Sequence, residues 1–383
     1  MPFPTRRRKI TSLALTVAVL LSLTTASGYA MGNPAPNISS PSNPSLDLLL
    51  EDWNYDYEPH ALFDIEPDPD IGKTDRYIVK YKTGQEESFK SKLPHDLVDN
   101  SLSLDDVNSN LRSLEVIPDN NSGRNNTNPN TSYLSAKYPD LEVLILSEKM
   151  LLSELEEVLE SSGAYSDILY IQPDYELEIA SLNPGFITRA EQPAAPITGP
   201  PNTSSNSVSN GLESSSPTLI AVLDTAVDPT HPAYSSYLHP ETPDVYDPSN
   251  PLAYAHGTHV AGAIANEASL YNANIQILAL PVFSDGYAYT SDIIIAIETA
   301  ELMGASIVNC SFGNSSFNQA LFEAMEASSM LFICAAGNGR EDLELKPVYP
   351  ACFELGNVLS VGSVNNDLGF SYYSNYNQVD MAA

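Results

Sequence analysis

His256-Gly257-Thr258-His259-Val260-Ala261-Gly262 decides how the rest of the chain is read. A histidine followed by glycine and a small, mostly apolar run places an imidazole at a helix start, with the helix packed close behind it. Thr258 and Gly262 keep that helix face thin, so that a neighbouring strand can approach. Asp224 lies 32 residues earlier and closes the apolar run Leu219-Ile220-Ala221-Val222-Leu223. A carboxylate at a strand end and an imidazole at a helix start form the orienting acid and general base that a serine nucleophile needs. Zinc is a poor reading of His256-x-x-His259, because a metal pair on a helix wants i and i+4 with an intervening glutamate.

Outward from this pair, apolar runs alternate with helical periodicity. Strands are expected at 219–223, 275–280, 307–309, 331–335 and 358–361, and helices at about 256–266, 291–303 and 317–328. Continuous apolar strands joined by helices predict an α/β fold, a parallel sheet with helices on both faces. Sites in such sheets form beyond the carboxyl ends of the strands. Asp224, Ser311 and Asn338 all fall at or just past such ends, which is consistent with one crevice.

Four segments give these residues a family likeness: Asp224-Thr225-Ala226-Val227-Asp228, the histidine stretch, Asn309-Cys310-Ser311-Phe312-Gly313 and Ala335-Ala336-Gly337-Asn338-Gly339. The chain resembles the subtilisin-like serine proteases over about residues 218–383, and the 32-residue separation is that of subtilisin itself. The resemblance implies peptide-bond hydrolysis by acyl transfer, with His256 as base, Asp224 as its orienter and the Asn338 amide as oxyanion donor. It makes Ser311, Phe312 and Gly313 one wall of a peptide groove. Gly286, in Asp285-Gly286-Tyr287-Ala288-Tyr289, belongs to the opposite wall, and the tyrosines with Phe312 suggest an aromatic lining. His259 and His231 are expected to be structural. One departure stands out: the family usually has glycine where this chain has Ala226, and a positive φ there would strain alanine. No serine within residues 1–383 has the expected Gly-Thr-Ser-Met context. The family spacings put the nucleophile near ~404–413, so the 383-residue chain is expected to be inactive as it stands.

The N-terminal half divides by composition. Residues 1–30 read as an export signal, with Arg6-Arg7-Arg8-Lys9 before an apolar stretch too short to span a bilayer comfortably. Residues 31–72 form an acidic, loosely ordered leader, and 183–217 a linker rich in Pro, Ser and Asn. Between them, 73–182 reads as strand, helix, strand, helix, strand, from Arg76-Tyr77-Ile78-Val79-Lys80-Tyr81 to Ile168-Leu169-Tyr170-Ile171-Gln172. The stretch 120–130, crowded with asparagine, is expected to be an exposed loop. The series is similar to the inhibitory propeptide of the same family, which implies a small α+β ferredoxin-like domain occupying the groove.

A net charge of −32 argues against nucleic acid or anionic membrane as partner. From Ser181 onward only Arg189, Arg340 and Lys346 are basic, against 20 acidic residues. Cys310, Cys334 and Cys352 are an odd set, and core packing is favoured over a Cys334–Cys352 bridge. The leading reading is a secreted endopeptidase precursor, extracellular or periplasmic, acting on peptide or protein substrates. It has no metal ligands assigned and no certain cofactor; calcium is common in the family, and no loop here is assigned to it. The alternative is a non-catalytic pseudoprotease or a propeptide-like inhibitor or chaperone module that binds a protease. If the polypeptide ends at Ala383, the purified chain keeps its propeptide attached. Mass spectrometry should find it intact, and self-cleavage between residues 179 and 217 would contradict this.

Overall fold

The computed structural model describes residues 72–103, 137–179, 216–284, 286–365 and 369–383. The export signal, the asparagine-rich loop and nearly all of the leader and linker lie outside these residues.

The first unit runs β1 (Thr74–Tyr81), α1 (Glu86–Lys92), β2 (Val98–Ser103), β3 (Leu141–Met150), α2 (Leu152–Ser162) and β4 (Ile168–Pro173). Its sheet has the order β2-β3-β1-β4, and every neighbouring pair is antiparallel. The sequence reading lacked β2, whose Val98-Asp99-Asn100-Ser101-Leu102-Ser103 has two apolar residues and no alternation to detect. It also began α2 too early, because β3 runs on to Met150, which pairs with Thr74. Side chains alternate across a strand, so β1 serves two cores at once. Tyr77, Val79 and Tyr81 pack under the helices with Phe89, Leu155 and Leu159. Ile78 points the other way and joins Val143 in a core that the second unit completes.

After β5 (Glu176–Ile179), the second unit builds a six-stranded sheet of order β13-β12-β11-β9-β6-β7, parallel throughout. Its strands are β6 (Thr218–Asp224), β7 (Ile275–Pro281), β9 (Ile307–Cys310), β11 (Leu331–Ala335), β12 (Val358–Gly362) and β13 (Met381–Ala382). Helix α3 (Ala255–Tyr271) covers one face, where Val260, Ala261 and Ile264 meet Ile220 and Val222. Helices α4 (Thr290–Leu302) and α5 (Gln319–Glu326) cover the other, where Ile293 and Ile297 meet Ala221 and Leu223. Burial on both faces explains why these strands read as unbroken apolar runs. The chain leaves β6 for β7 on one side, then crosses to β9 on the other, so strand order reverses at β6. Crevices for ligands open at such reversals, and Asp224 is the last residue of β6.

Two short strands, β8 (Tyr287–Tyr289) and β10 (Phe312–Gly313), take β5 between them in a three-stranded antiparallel sheet. The last strand of the first half of the chain thus lies between two edges of the second unit. Among the described residues, no helix is long and apolar enough to cross a membrane.

Candidate active site

Asp224 is 1% exposed at the reversal point. Its backbone carbonyl accepts Val282 N at 2.9 Å and Phe283 N at 3.2 Å, tying the end of β6 to the residues after β7. His256, the second residue of α3, is 6% exposed, and its Nδ1 lies 2.7 and 2.8 Å from the two Asp224 oxygens. An ionised carboxylate can only accept, so Nδ1 carries the proton and Nε2 presents its lone pair. Thr225 N donates to Asp224 Oδ1 at 2.7 Å and fixes the carboxylate further.

The helix comes this close because of Gly257. A Cβ there would stand 2.4 Å from Thr225 O and 2.9 Å from Thr225 Oγ1, and Gly257 N donates to that same Oγ1 at 2.9 Å. The close approach therefore falls on Gly257, not on the pair named from the sequence. At Gly262 a Cβ would find only an ordinary contact, 3.8 Å from Tyr234. Thr258 acts as an acceptor instead, taking Asp228 N at 3.0 Å and holding the loop after β6 to the helix. Ala226 is buried and is not among the positive-φ residues, so alanine leaves the loop unstrained. His231 stacks on Tyr234 at 5.1 Å and accepts Ala233 N at 3.3 Å, as a structural histidine would. His259 keeps an exposed edge on α3, while desolvation and the neighbouring His256 hold its imidazole pKa below the ordinary value.

Asn338 is exposed in the loop that follows β11. Gly337 before it has φ +101°, a conformation that favours glycine. Sequence reasoning missed the residue that shapes this loop. Asn375, 2% exposed, donates Nδ2 to Ala336 O at 2.8 Å, while its Oδ1 accepts Gly339 N at 3.0 Å and Glu341 N at 2.9 Å. Its backbone N donates to Gly337 O at 2.9 Å. A buried asparagine that satisfies three groups of a distant loop leaves no local signal in the sequence.

The groove residues gather around β5. Phe312 pairs with Ile179 and Gly313 with Glu178, while Tyr287 and Tyr289 pair with Glu178 and Glu176 from the other side. Ile179 N donates to Gly286 O at 3.1 Å. The aromatic lining differs from the expectation. Phe312 turns inward against Phe283 at 5.2 Å, Tyr287 is half exposed, and Tyr289 lies under the Arg76 guanidinium at 4.1 Å. Leu177 of β5 is 1% exposed and sits in the core that contains Phe283, Ala288 and Phe312. Ser311 accepts Asn309 Nδ2 at 2.9 Å. The three cysteines are free thiols, Cys310 and Cys334 buried and Cys352 half-buried. Among the described residues, no group of three His, Cys, Asp or Glu side chains could hold a metal ion.

Asp224 and His256 thus form a buried carboxylate–imidazole pair at the strand-order reversal of a parallel α/β sheet. The comparisons are more specific. Residues 215–383 match the subtilase family, peptidase S8, and carry its parallel sheet with flanking helices. Subtilisin-like protease 2 of Plasmodium falciparum (isolate 3D7) is 32% identical over 182 residues, spanning 41% of this chain and 14% of that protein. The thermophilic serine proteinase of Bacillus sp. (strain AK1) is 32% identical over 199 residues, 48% of each chain. The solved prenylagaramide maturation protease PagA is 27% identical with a TM-score of 0.34, covering 42% of this chain and 58% of that one. The match thus spans less than half the length of these two curated relatives.

Two substitutions test the local account. Gly257→Ala should cost about 1–3 kcal/mol in urea unfolding, because the new methyl forces α3 away from Thr225. Unchanged stability would show that the close approach is not required. Asn375→Ala should cost about 2–3 kcal/mol and expose the Gly339 and Glu341 amides to rapid hydrogen exchange. Continued protection of both amides would contradict the bracing role.

Proposed function

We propose that this chain belongs to an exported subtilisin-like serine endopeptidase precursor, in which residues 73–182 form an inhibitory pro-module. The observation that carries the reading is the buried contact between His256 Nδ1 and Asp224, at 2.7 Å, beside a groove that already accepts a strand. Asp224 holds the imidazole in the tautomer that directs Nε2 at an incoming hydroxyl, and it stabilises the imidazolium formed when that proton is taken. The reading requires a serine nucleophile, and none of the serines of residues 1–383 is assigned that role. As its oxygen bonds to the substrate carbonyl carbon, negative charge grows on the carbonyl oxygen, and the Asn338 amide donates to it. Collapse of that intermediate releases the amine as His256 returns the proton. Calcium has no assigned loop in this reading.

Several features support the pro-module reading. The βαββαβ order and the β2-β3-β1-β4 sheet agree with a ferredoxin-like domain. β5 occupies the place of a peptide substrate, paired on both edges and anchored by buried Leu177. An added strand is recognised by its backbone, which makes Ser311, Phe312, Gly313 and Gly286 substrate-binding residues through their main chain. Gln172 and Tyr175 reach the second unit's helices. Gln172 Oε1 accepts Ala320 N at 3.1 Å at the start of α5, and Tyr175 O accepts Thr290 N at 2.9 Å at the start of α4. The same occupied groove suits the second reading, a non-catalytic module that binds a protease, if the nucleophile is absent from the natural product.

The product of the reading frame continued beyond residue 383 should hydrolyse a denatured protein substrate. His256→Ala should then lower kcat by about 10⁶-fold and Asp224→Asn by about 10⁴-fold, the orders already measured for subtilisin and related triads. Hydrolysis that survives His256→Ala, or a stop codon directly after Ala383, would overturn the enzymatic reading.

A further inference from the structure

The face of the first unit that meets α4 and α5 is organised by charge as well as by shape. Arg76, Ile78 and Lys80 occupy alternate positions of β1 and therefore share that face. Lys80 Nζ lies 2.7 Å from Glu323 Oε2 on α5, an oxygen that also accepts Tyr170 OH from β4 at 3.2 Å. Gln319, one turn earlier on α5, holds the other Glu323 oxygen at 2.9 Å. Burial, the largest single influence, opposes ionisation of Glu323, but Lys80, Gln319 and Tyr170 together outweigh it and hold the carboxyl below its ordinary range.

Helix α4 is engaged at both ends. At its N-terminus, Asp174 Oδ1 accepts Ser291 N at 2.9 Å, while Arg76 Nη2 bonds to Asp174 Oδ2 at 2.9 Å. In its last turn, Glu301 pairs with Lys137 through Oε2. A carboxylate in the last turn of a helix is disfavoured by the helix dipole, and a cation there is favoured. The first unit thus brings a carboxylate to the positive end of α4 and an ammonium to the negative end. Among the described residues, Glu301 and Glu323 both take their cation from the first unit. The second unit has little to offer in its place, since only Arg189, Arg340 and Lys346 are basic after Ser181, and Lys346 pairs with Glu341.

We infer that the α4–α5 face is a charge-coded docking surface that accepts a pro-module carrying ammonium groups at the positions of Lys80 and Lys137. It discriminates against an otherwise similar module that lacks them. On a chain of net charge −32, most approaches between two units are repulsive, so two correctly placed cations separate the fitting partner from the rest. The strand pairing of β5 is sequence-tolerant backbone bonding and cannot make that distinction alone. The inference rests on the pro-module reading for its biological meaning, while the docking it describes does not require catalysis.

Hydrogen exchange on the whole chain tests it, read at three amides that donate across the interface: Ile179, Thr290 and Ser291. Lys80→Glu with Lys137→Glu should speed their exchange about tenfold or more, because each attraction becomes a like-charge contact. Adding Glu323→Lys and Glu301→Lys should return it to within about twofold of the parent. Lys82→Glu makes the same change of charge at a lysine that bonds Ser166 O within the first unit, and should leave all three amides unchanged. If the double reversal also loosens the interior of β1 and β3, Lys80→Gln with Lys137→Gln replaces it, with about threefold expected. No acceleration, or acceleration that the reciprocal swap fails to rescue, would overturn the charge code. Failure of the hydrolysis experiment leaves this readout untouched, so the two outcomes are separable.

Discussion

The missing Cβ of Gly257 is the constraint on which the site depends. Because a methyl group there would collide with the Thr225 carbonyl, only glycine lets the first turn of α3 rest against the end of β6. That contact brings the imidazole of His256 and the carboxylate of Asp224 within hydrogen-bonding distance while both stay buried. A buried ionised carboxylate is costly unless its oxygens are satisfied, and here Thr225 N and the imidazole Nδ1 satisfy them. The acid–base pair is therefore a consequence of helix packing on the sheet. The strand order reverses at β6, whose last residue is Asp224, and it is at such reversals that ligand crevices form in parallel sheets.

The two units are bound by three kinds of interaction with different selectivity. Apolar packing of Ile78, Val143 and Leu177 into the larger core supplies affinity without much discrimination. Backbone pairing of β5 with β8 and β10 fixes direction and register. Polar contacts at the ends of α4 and α5 fix orientation, because a helix terminus offers unsatisfied groups at one place only. A segment docked this way is paired along both of its edges.

Much of this was legible in the sequence for definite physical reasons. The parallel strands read as apolar runs because both faces are covered, and the helices between them read by their period. Asp224 and His256 were legible because each ends or begins an element in a recognisable run. The edge strand Val98–Ser103 was hidden, since its pairing uses backbone groups that any residue supplies. The pairing of β5 was hidden for the same reason, and its partners lie more than a hundred residues away. Asn375 bonds a loop some 35 residues earlier, and nothing local marks it. The inward turn of Phe312 reflects parity along a two-residue strand, which composition does not reveal.

The buried proton between Asp224 and His256 can be observed directly. In proton NMR of the chain, His256 Nδ1–H should give a slowly exchanging resonance far downfield of the amides, and Asp224→Ala should abolish it while the fold persists. If no such resonance exists at any pH at which the chain is folded, or if it survives Asp224→Ala, the imidazole is not held by that carboxylate and the site as described does not exist.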